Sequence, residues 1–275
     1  MPYITLRDRR KCSTRFSQQR RKAVVALMLA GALALGAVSL GVVVWDMKSR
    51  ASVASSPSAL SLLAGAYREP FEADVSSDAS SDGFPDVDWE YWKRENPRII
   101  GWLTVPSTPI DYPVVQAPED DPDYYLSHDV YGARNIFGCP YLDAECAQNG
   151  LLNSENAVIF GHNMSNMDGS MFTAFSRYGD EGFASAHKTI LVQTSEKKVR
   201  LRVVGVCVSP GDSATKRTAF QDKGDFESYC QERLLACDVR LDGWDVRDST
   251  QLFTFVTCSY TRYANERTLV YAVLE

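Results

Sequence analysis

The chain has 275 residues, of which 45% are hydrophobic and 23% are charged, so one large domain or two small ones can bury a sizeable core. The net charge of −6 is unevenly distributed: residues 1–45 carry eight Lys or Arg and one Asp, and the rest of the chain therefore carries −13. Such an acidic body argues against nucleic acid as a partner, because phosphate binding requires a basic face.

An uncharged apolar segment spans residues 23–45 and is long enough to cross a bilayer as a helix. The basic residues that precede it predict a cytoplasmic N-terminus and an extracellular body, as in a single-pass cell-membrane protein. A cleaved signal peptide is the alternative, although its apolar core would normally be shorter. We therefore expect a cytoplasmic basic tail (1–22), a transmembrane helix (23–45), a Ser-rich extracellular stalk or linker (46–86) and a folded domain (87–275).

The chain contains seven cysteines, and the expected topology places Cys12 on the cytoplasmic side and the other six outside, where disulfides can form. Cys139 and Cys146 are close enough in sequence to bridge a loop, and that pairing stays open. Cys230 and Cys237 lie seven apart in a predicted helix, where their Cα atoms would be about 10 Å apart, too far for a disulfide. With no CxxC pair and scattered histidines, we predict no metal site.

The folded domain begins with a predicted helix at residues 87–96, where two tryptophans have helical spacing. Strand patterns follow at residues 99–105, 110–115, 138–142, 157–161, 189–194, 199–209, 252–258 and 268–274. About eight strands with short connections predict a mostly β fold, a closed or nearly closed antiparallel barrel with peripheral helices. We expect those helices at residues 170–177, 182–187 and 225–237, the last in a long insertion at 210–249.

The last two predicted strands bring a thiol and a cation together. If they pair antiparallel, Cys258 at the end of one lies beside Arg267 at the start of the other. A nearby positive charge favours the thiolate, the nucleophilic form of cysteine, and an Arg offers several fixed donors to an oxyanion. The alternative is that Cys258 is a buried small hydrophobe and Arg267 a solvated strand-end residue.

Histidine is the second requirement for thiol chemistry, and the chain contains three. His128 and His187 lie in polar or helix-end positions and are expected to be solvated or to cap a helix. His162 follows the apolar strand AVIFG and leads into the polar loop NMSNMDGS, so it can face a cleft. An imidazole there suits general acid and base catalysis next to a nucleophile.

The motifs IFGHNM, FVTCSY and NERTLVYAVL, in this order, resemble those of the sortases, membrane-anchored cysteine transpeptidases of Gram-positive bacteria. The stretches NPRIIGWLTV, IDYPVVQ, DYYL, CPYLD and DGSMF are similar to class B in particular. The resemblance covers residues 87–275. It implies an eight-stranded sortase-type β-barrel with a helical lead-in and a helix-bearing insertion before the Cys strand.

By position, the resemblance assigns the nucleophile to Cys258, the general acid and base to His162, and the oxyanion or substrate stabiliser to Arg267. It implies cleavage after the Thr of a C-terminal sorting motif in a secreted protein, through a Cys thioester. An amine of a peptidoglycan precursor or of a pilin then accepts the acyl group. No cofactor is implied. Alternatives are a pilin-polymerising or hydrolytic enzyme on this scaffold, and a non-catalytic anchored surface domain.

The predicted substrate-binding residues are Asn96, Phe160, Thr257, Val256 and Ser259. Class B members often have a small polar residue two before the Cys and an acidic one after it, where this chain has Val256 and Ser259. Phe160 stands where the family often has Tyr. Some sortases bind Ca²⁺ through acidic clusters, but the PEDDPD run here is more simply a solvated loop, and the prediction remains no metal.

Overall fold

The computed structural model describes residues 82–211, 216–241, 244–259 and 265–275. The predicted cytoplasmic tail, the transmembrane helix and most of the linker lie outside these residues. Within the described ranges, no helix has the length and apolar character required to cross a bilayer.

In the described residues, strands outnumber helices. The strands are β1 (Ile99–Thr104), β2 (Asp111–Gln116), β3 (Tyr141–Leu142), β4 (Asn156–Phe160), β5 (Thr189–Gln193), β6 (Lys198–Pro210), β7 (Val239–Arg240), β8 (Leu252–Ser259) and β9 (Glu266–Leu274). The α-helices are α1 (Trp89–Glu95), α2 (Thr173–Ser176), α3 (Glu181–Ala186) and α4 (Lys223–Ala236). Single 3₁₀ turns lie at Tyr124–Leu126, Ala144–Cys146, Arg177–Gly179 and Val246–Asp248. All eight predicted strands and all four predicted helices are present, with ends shifted by a few residues.

The strands form one sheet in the order β5-β1-β2-β3-β4-β8-β9-β6-β7, and β5 also pairs with β6. This second pairing closes eight strands into a barrel, as predicted, and leaves β7 as a short ninth strand on the edge of β6. β7 was not predicted, because two residues are too few to show an alternating pattern.

Two strand pairs correct the expectation of a wholly antiparallel barrel. β2 pairs with β3 in parallel, and β4 pairs with β8 in parallel. The second pairing is essential to the site described below, because it brings two chain segments that are far apart in sequence to the same end of the barrel.

Alternation along β8 separates the interior of the barrel from its outer face. Phe253 and Phe255 belong to the main buried cluster inside the barrel, where Phe255 stacks on Phe175 of α2 at 4.9 Å between ring centroids. Leu252 and Val256 belong to a second cluster on the outer face, which α4 covers with Phe226, Tyr229 and Cys230. Side chains one residue apart on these strands therefore face opposite sides of the sheet.

The lead-in helix α1 covers another part of the outer face. Asp88 caps this helix by accepting a hydrogen bond from the Tyr91 amide at 2.9 Å, and Trp92 packs against Trp102 of β1. This tryptophan thus packs the lead-in helix against the barrel.

Each of the two cysteines with an open pairing is a free thiol. Cys139 packs in the cluster under α1, whereas Cys146 packs in the interior cluster. Burial raises the pKa of both thiols, which keeps them protonated and unreactive.

Candidate active site

The candidate nucleophile and the candidate cation lie side by side on β8 and β9. The antiparallel register places Cys258 directly opposite Arg267. Cys258 is two residues from Val256, and Arg267 is two residues from Leu269, and both of those apolar side chains lie in the outer cluster. Because the strand period is two residues, Cys258 and Arg267 project from the same outer face. Each is half-buried, so both can meet a ligand from solvent.

His162 reaches the same face from β4. Phe160 pairs with Val256 in parallel, and the Gly161 amide extends that ladder by donating to the Val256 carbonyl at 3.1 Å. His162 and Cys258 each follow that last pair by two residues. They are therefore neighbours on adjacent strands, whose spacing is about 4.8 Å. We call His162, Cys258 and Arg267 the reactive row.

The ring of His162 is oriented by a backbone carbonyl. Its Nε2 lies 2.7 Å from the carbonyl oxygen of Leu126, in the loop that follows β2. A carbonyl oxygen only accepts hydrogen bonds, so Nε2 carries a proton and donates it. Nδ1 is then the ring nitrogen left for proton transfer to and from a reacting group.

Gly138 allows this loop to lie against the histidine. Its φ is +60°, a left-handed conformation, and a Cβ there would lie 2.4 Å from the Tyr125 carbonyl oxygen and 3.1 Å from Cδ2 of His162. Only glycine fits this close approach without displacing the backbone that holds His162.

Arg267 uses one end of its guanidinium for local bonds. Nη1 donates to the Asn265 side-chain oxygen at 3.0 Å and to the Glu266 carbonyl at 3.1 Å. These two bonds fix the planar group, and within the described part of the chain they leave Nη2 and Nε for a bound oxyanion.

A second row of side chains lies on the same outer face, two residues along each strand from the reactive row and farther from the barrel end. The strand register pairs Tyr141 with Phe160, Phe160 with Val256, Val256 with Leu269, and Leu269 with Cys207. Tyr141 and Phe160 also stack, with 5.3 Å between ring centroids. We call these five residues the apolar row. Burial and the nearby acidic groups raise the pKa of Tyr141, so its hydroxyl remains neutral.

The predicted substrate-binding residues fall into two groups. Phe160 and Val256 lie in the apolar row, next to the reactive thiol. By contrast, Thr257 and Ser259 point to the opposite face, and each is 2% exposed. Asn96 is also buried, and its side chain bonds to the Tyr125 hydroxyl and to the Val130 carbonyl. Substrate contact at these five positions stays a prediction, and the placement favours Phe160 and Val256.

A cavity of about 590 Å³ opens on the interior side of the same barrel end. Its lining includes Asn163, Asp180, Ser259 and Thr268. Because Ser259 is one residue from Cys258, it faces away from the thiol, and the cavity lies behind the reactive row rather than in front of it. Within the described ranges, no group of three or more His, Cys, Asp or Glu side chains is arranged to hold a metal ion.

Sequence reasoning missed three contributors to this site: Leu126, Gly138 and Asn163. Leu126 acts through its carbonyl, which no sequence pattern identifies. Gly138 stands alone between apolar residues, and such an isolated glycine does indicate close backbone approach. Asn163 follows His162 directly, and its Nδ2 donates to the Cys258 carbonyl at 2.8 Å.

Comparison with known proteins agrees with this architecture. The family model for the sortase domain matches residues 103–275. Sortase B of Listeria monocytogenes is 31% identical over 170 residues, which cover 60% of this chain and 65% of that protein. This chain thus spans about two thirds of the length of that relative. Sortase B of Staphylococcus aureus is 25% identical over 171 residues, or 62% and 67% of the two chains. The crystal structure of Clostridium perfringens sortase B superposes with a TM-score of 0.61 at 30% identity and covers 68% of this chain and 98% of that one.

Proposed function

This chain belongs to the sortase family, class B, and from that membership we propose that it acts as a cysteine transpeptidase. The observation that carries the proposal is the reactive row: Cys258 faces Arg267 across the β8–β9 pair, and His162 lies on the neighbouring strand end. A thiol, an imidazole and a fixed cation on one exposed face are the groups that acyl transfer requires.

In the first half of the reaction, Cys258 gives its proton to Nδ1 of His162 and attacks a substrate carbonyl carbon. The resulting tetrahedral oxyanion is stabilised by Nη2 and Nε of the Arg267 guanidinium. The intermediate collapses when the C–N bond breaks, and His162 returns its proton to the departing amine. The enzyme then holds the acyl group as a thioester on Cys258.

In the second half, an acceptor amine attacks the thioester carbonyl and loses a proton to His162. Arg267 stabilises the second oxyanion in the same way. Breakage of the C–S bond releases the new amide, and His162 returns its proton to the Cys258 sulfur, which regenerates the thiol. The Leu126 carbonyl supports both halves, because it holds one ring nitrogen of His162 protonated and leaves the other to exchange the proton.

We propose that the donor is a secreted protein with a C-terminal sorting motif, cleaved after Thr, and that the acceptor is a cell-wall peptidoglycan amine. The apolar row is the proposed floor for the motif, since Phe160 and Val256 lie next to the thiol. Residues 23–45 would anchor the enzyme in the cell membrane, with the body outside, where donors and a lipid-linked acceptor meet. Their uncharged composition and the basic residues before them support this proposal.

The experiment is to mix the full-length protein with pentapeptide sorting motifs and to follow the protein by intact mass spectrometry. The expected result is an acyl adduct on Cys258 that is absent in Cys258→Ala. Added amine should change the released product from free acid to amide, which separates transpeptidation from hydrolysis. Cleavage retained in Cys258→Ala, or no adduct with any motif, would contradict the proposed mechanism.

A further inference from the structure

Two side-chain hydrogen bonds join the strand end that carries His162 to the strand that carries Cys258. The Thr257 hydroxyl donates to the Gly161 carbonyl at 2.9 Å, and Asn163 Nδ2 donates to the Cys258 carbonyl at 2.8 Å. The two bonds run in opposite directions between the segments. Thr257, which precedes Cys258, donates to Gly161, which precedes His162. Asn163, which follows His162, donates to Cys258. We call this pair of bonds the clamp.

The clamp lies where the backbone pairing of β4 with β8 ends. The last residue pair is Phe160 with Val256, and beyond it the chain of β4 leaves the sheet as the loop that contains His162. The remaining backbone bonds to this part of the chain run from the Gly161 amide to β8 and from the Phe172 amide to the His162 carbonyl. Side-chain bonds thus extend the β4–β8 connection to the position of the reactive row.

Burial of Thr257 and a further hydrogen bond of Asn163 keep both clamp side chains in this arrangement. Thr257 is 2% exposed and points away from the thiol, so its hydroxyl has no access to a ligand on the outer face. The Asn163 side-chain oxygen accepts from the Ser165 amide at 2.9 Å, while its nitrogen donates to Cys258. Asn163 therefore connects the loop to the Cys strand in one fixed orientation, which an aspartate could not provide because it lacks the donor.

We propose that Thr257 and Asn163 are positioning residues that hold His162 and Cys258 in the relative geometry needed for proton transfer. This inference rests on the transpeptidase function proposed above. It gives Thr257 a role other than the substrate contact expected from sequence. Displacement of a reacting group by about 1 Å can reduce the rate by about 100-fold. Loss of the two bonds that hold the backbones of His162 and Cys258 together is therefore sufficient to lower the rate measurably.

The test uses Thr257→Val, which keeps the shape of the side chain and removes its donor, and Asn163→Asp. Thr254→Val is the matched control, because Thr254 lies on the same strand, is 3% exposed, and donates to the Asn156 side chain at 2.7 Å. Full-length variants are compared by thermal unfolding, by kcat and KM with a peptide that acylates the wild type, and by Cys258 alkylation with iodoacetamide. Cys207, a half-buried thiol on the same face, is the internal reference for alkylation.

We expect Thr257→Val and Thr254→Val to lose similar thermal stability, since each loses one buried hydrogen bond. Thr257→Val and Asn163→Asp should lower kcat by about 10- to 100-fold with KM within about twofold, and should slow alkylation of Cys258 relative to Cys207. Thr257→Ser should restore most of kcat. If Thr257→Val keeps the kcat and the alkylation ratio of Thr254→Val, the clamp has only a structural role and the proposal is overturned. Alkylation needs no peptide, so a wrong transpeptidase assignment would appear separately, as a wild type without turnover.

Discussion

Replacement of Gly138 by alanine is expected to damage the site through the backbone that supports His162. The added Cβ would lie 2.4 Å from the Tyr125 carbonyl oxygen, and contacts under 3.0 Å are not sustained, so the backbone must move by more than about half an ångström. The Leu126 carbonyl follows Tyr125 directly and is itself 3.2 Å from that Cβ. The movement should therefore disturb the hydrogen bond that orients the imidazole.

The cost has two parts. An L-residue in the left-handed conformation of Gly138 costs about 1–2 kcal/mol, and forced overpacking of a well-packed position costs typically about 1–3 kcal/mol. We expect the free energy of unfolding to fall by about 2–5 kcal/mol. Since the disturbance acts directly on the general acid and base, kcat should fall by about 10-fold or more in protein that remains folded.

Gly150→Ala is the matched control for backbone strain. Gly150 has a φ of +73°, close to that of Gly138, but nothing lies within 4 Å of a Cβ built there. It should lose only about 1–2 kcal/mol and keep normal kcat. Denaturant unfolding and steady-state kinetics on the two variants are the assay. Equal stability losses with equal kcat would refute the idea that the loop of Gly138 positions His162.

Three further outcomes test other parts of the structure. Arg267→Lys keeps the charge but loses the planar fork, so kcat should fall by about 100- to 1000-fold with little change in melting temperature, and normal turnover would argue against oxyanion stabilisation. Cys207 lies at the end of the apolar row, separated from Val256 by Leu269, so Cys207→Ser should keep kcat within about twofold. A loss of activity as complete as that of Cys258→Ala would contradict the assignment of the nucleophile to Cys258 alone. Lys216→Met removes the cationic partner of the buried Asp143 carboxylate. Because the Lys216 side chain is 39% exposed, we expect a cost of about 1–3 kcal/mol at pH 7 in denaturant unfolding, below the roughly 3–5 kcal/mol of a fully buried pair. Burial alone would lower the pKa of Lys216, but the hydrogen bonds and charges of its acidic partners raise that pKa overall. The stability that the ion pair contributes is therefore complete below the ordinary lysine pKa of 10.5 and is lost as pH rises through the raised pKa. The stability difference between wild type and variant should therefore persist at neutral pH and disappear in strongly alkaline solution, and a variant as stable as the wild type at pH 7 would contradict the assigned ion pair.

The strands were predictable because alternation is a local property of the sequence. In β8, residues 252–257 are all aliphatic, aromatic or β-branched, which is strand composition, and the two-residue period of a strand then assigns alternate side chains to opposite faces. The pairing of Cys258 with Arg267 was also predictable, because β8 and β9 are consecutive in the chain. Consecutive strands pair as antiparallel neighbours far more often than distant ones.

The parallel pairing of β4 with β8 was not predictable from these patterns. A local pattern does not identify which distant strand will be a neighbour. The prediction that His162 lies near Cys258 therefore came from the family resemblance alone. The carbonyl of Leu126 has no signature in the sequence either. Thr257 was expected to contact substrate because it precedes Cys258, but the two-residue period of the strand turns it to the other face.

The parallel β4–β8 pair has a consequence for the folding of this protein. The two clamp bonds connect residues 96 and 95 positions apart in the chain, and β9, which carries Arg267, follows later still. Contacts of such high sequence separation incur a large loop-closure entropy and form slowly. During synthesis from the N-terminus, His162 therefore emerges long before its partners, and the reactive row can form only after β4 has paired with β8 and β8 with β9. The protein thus becomes able to react only in the step that completes its fold. Partly folded chains should therefore be unable to acylate themselves.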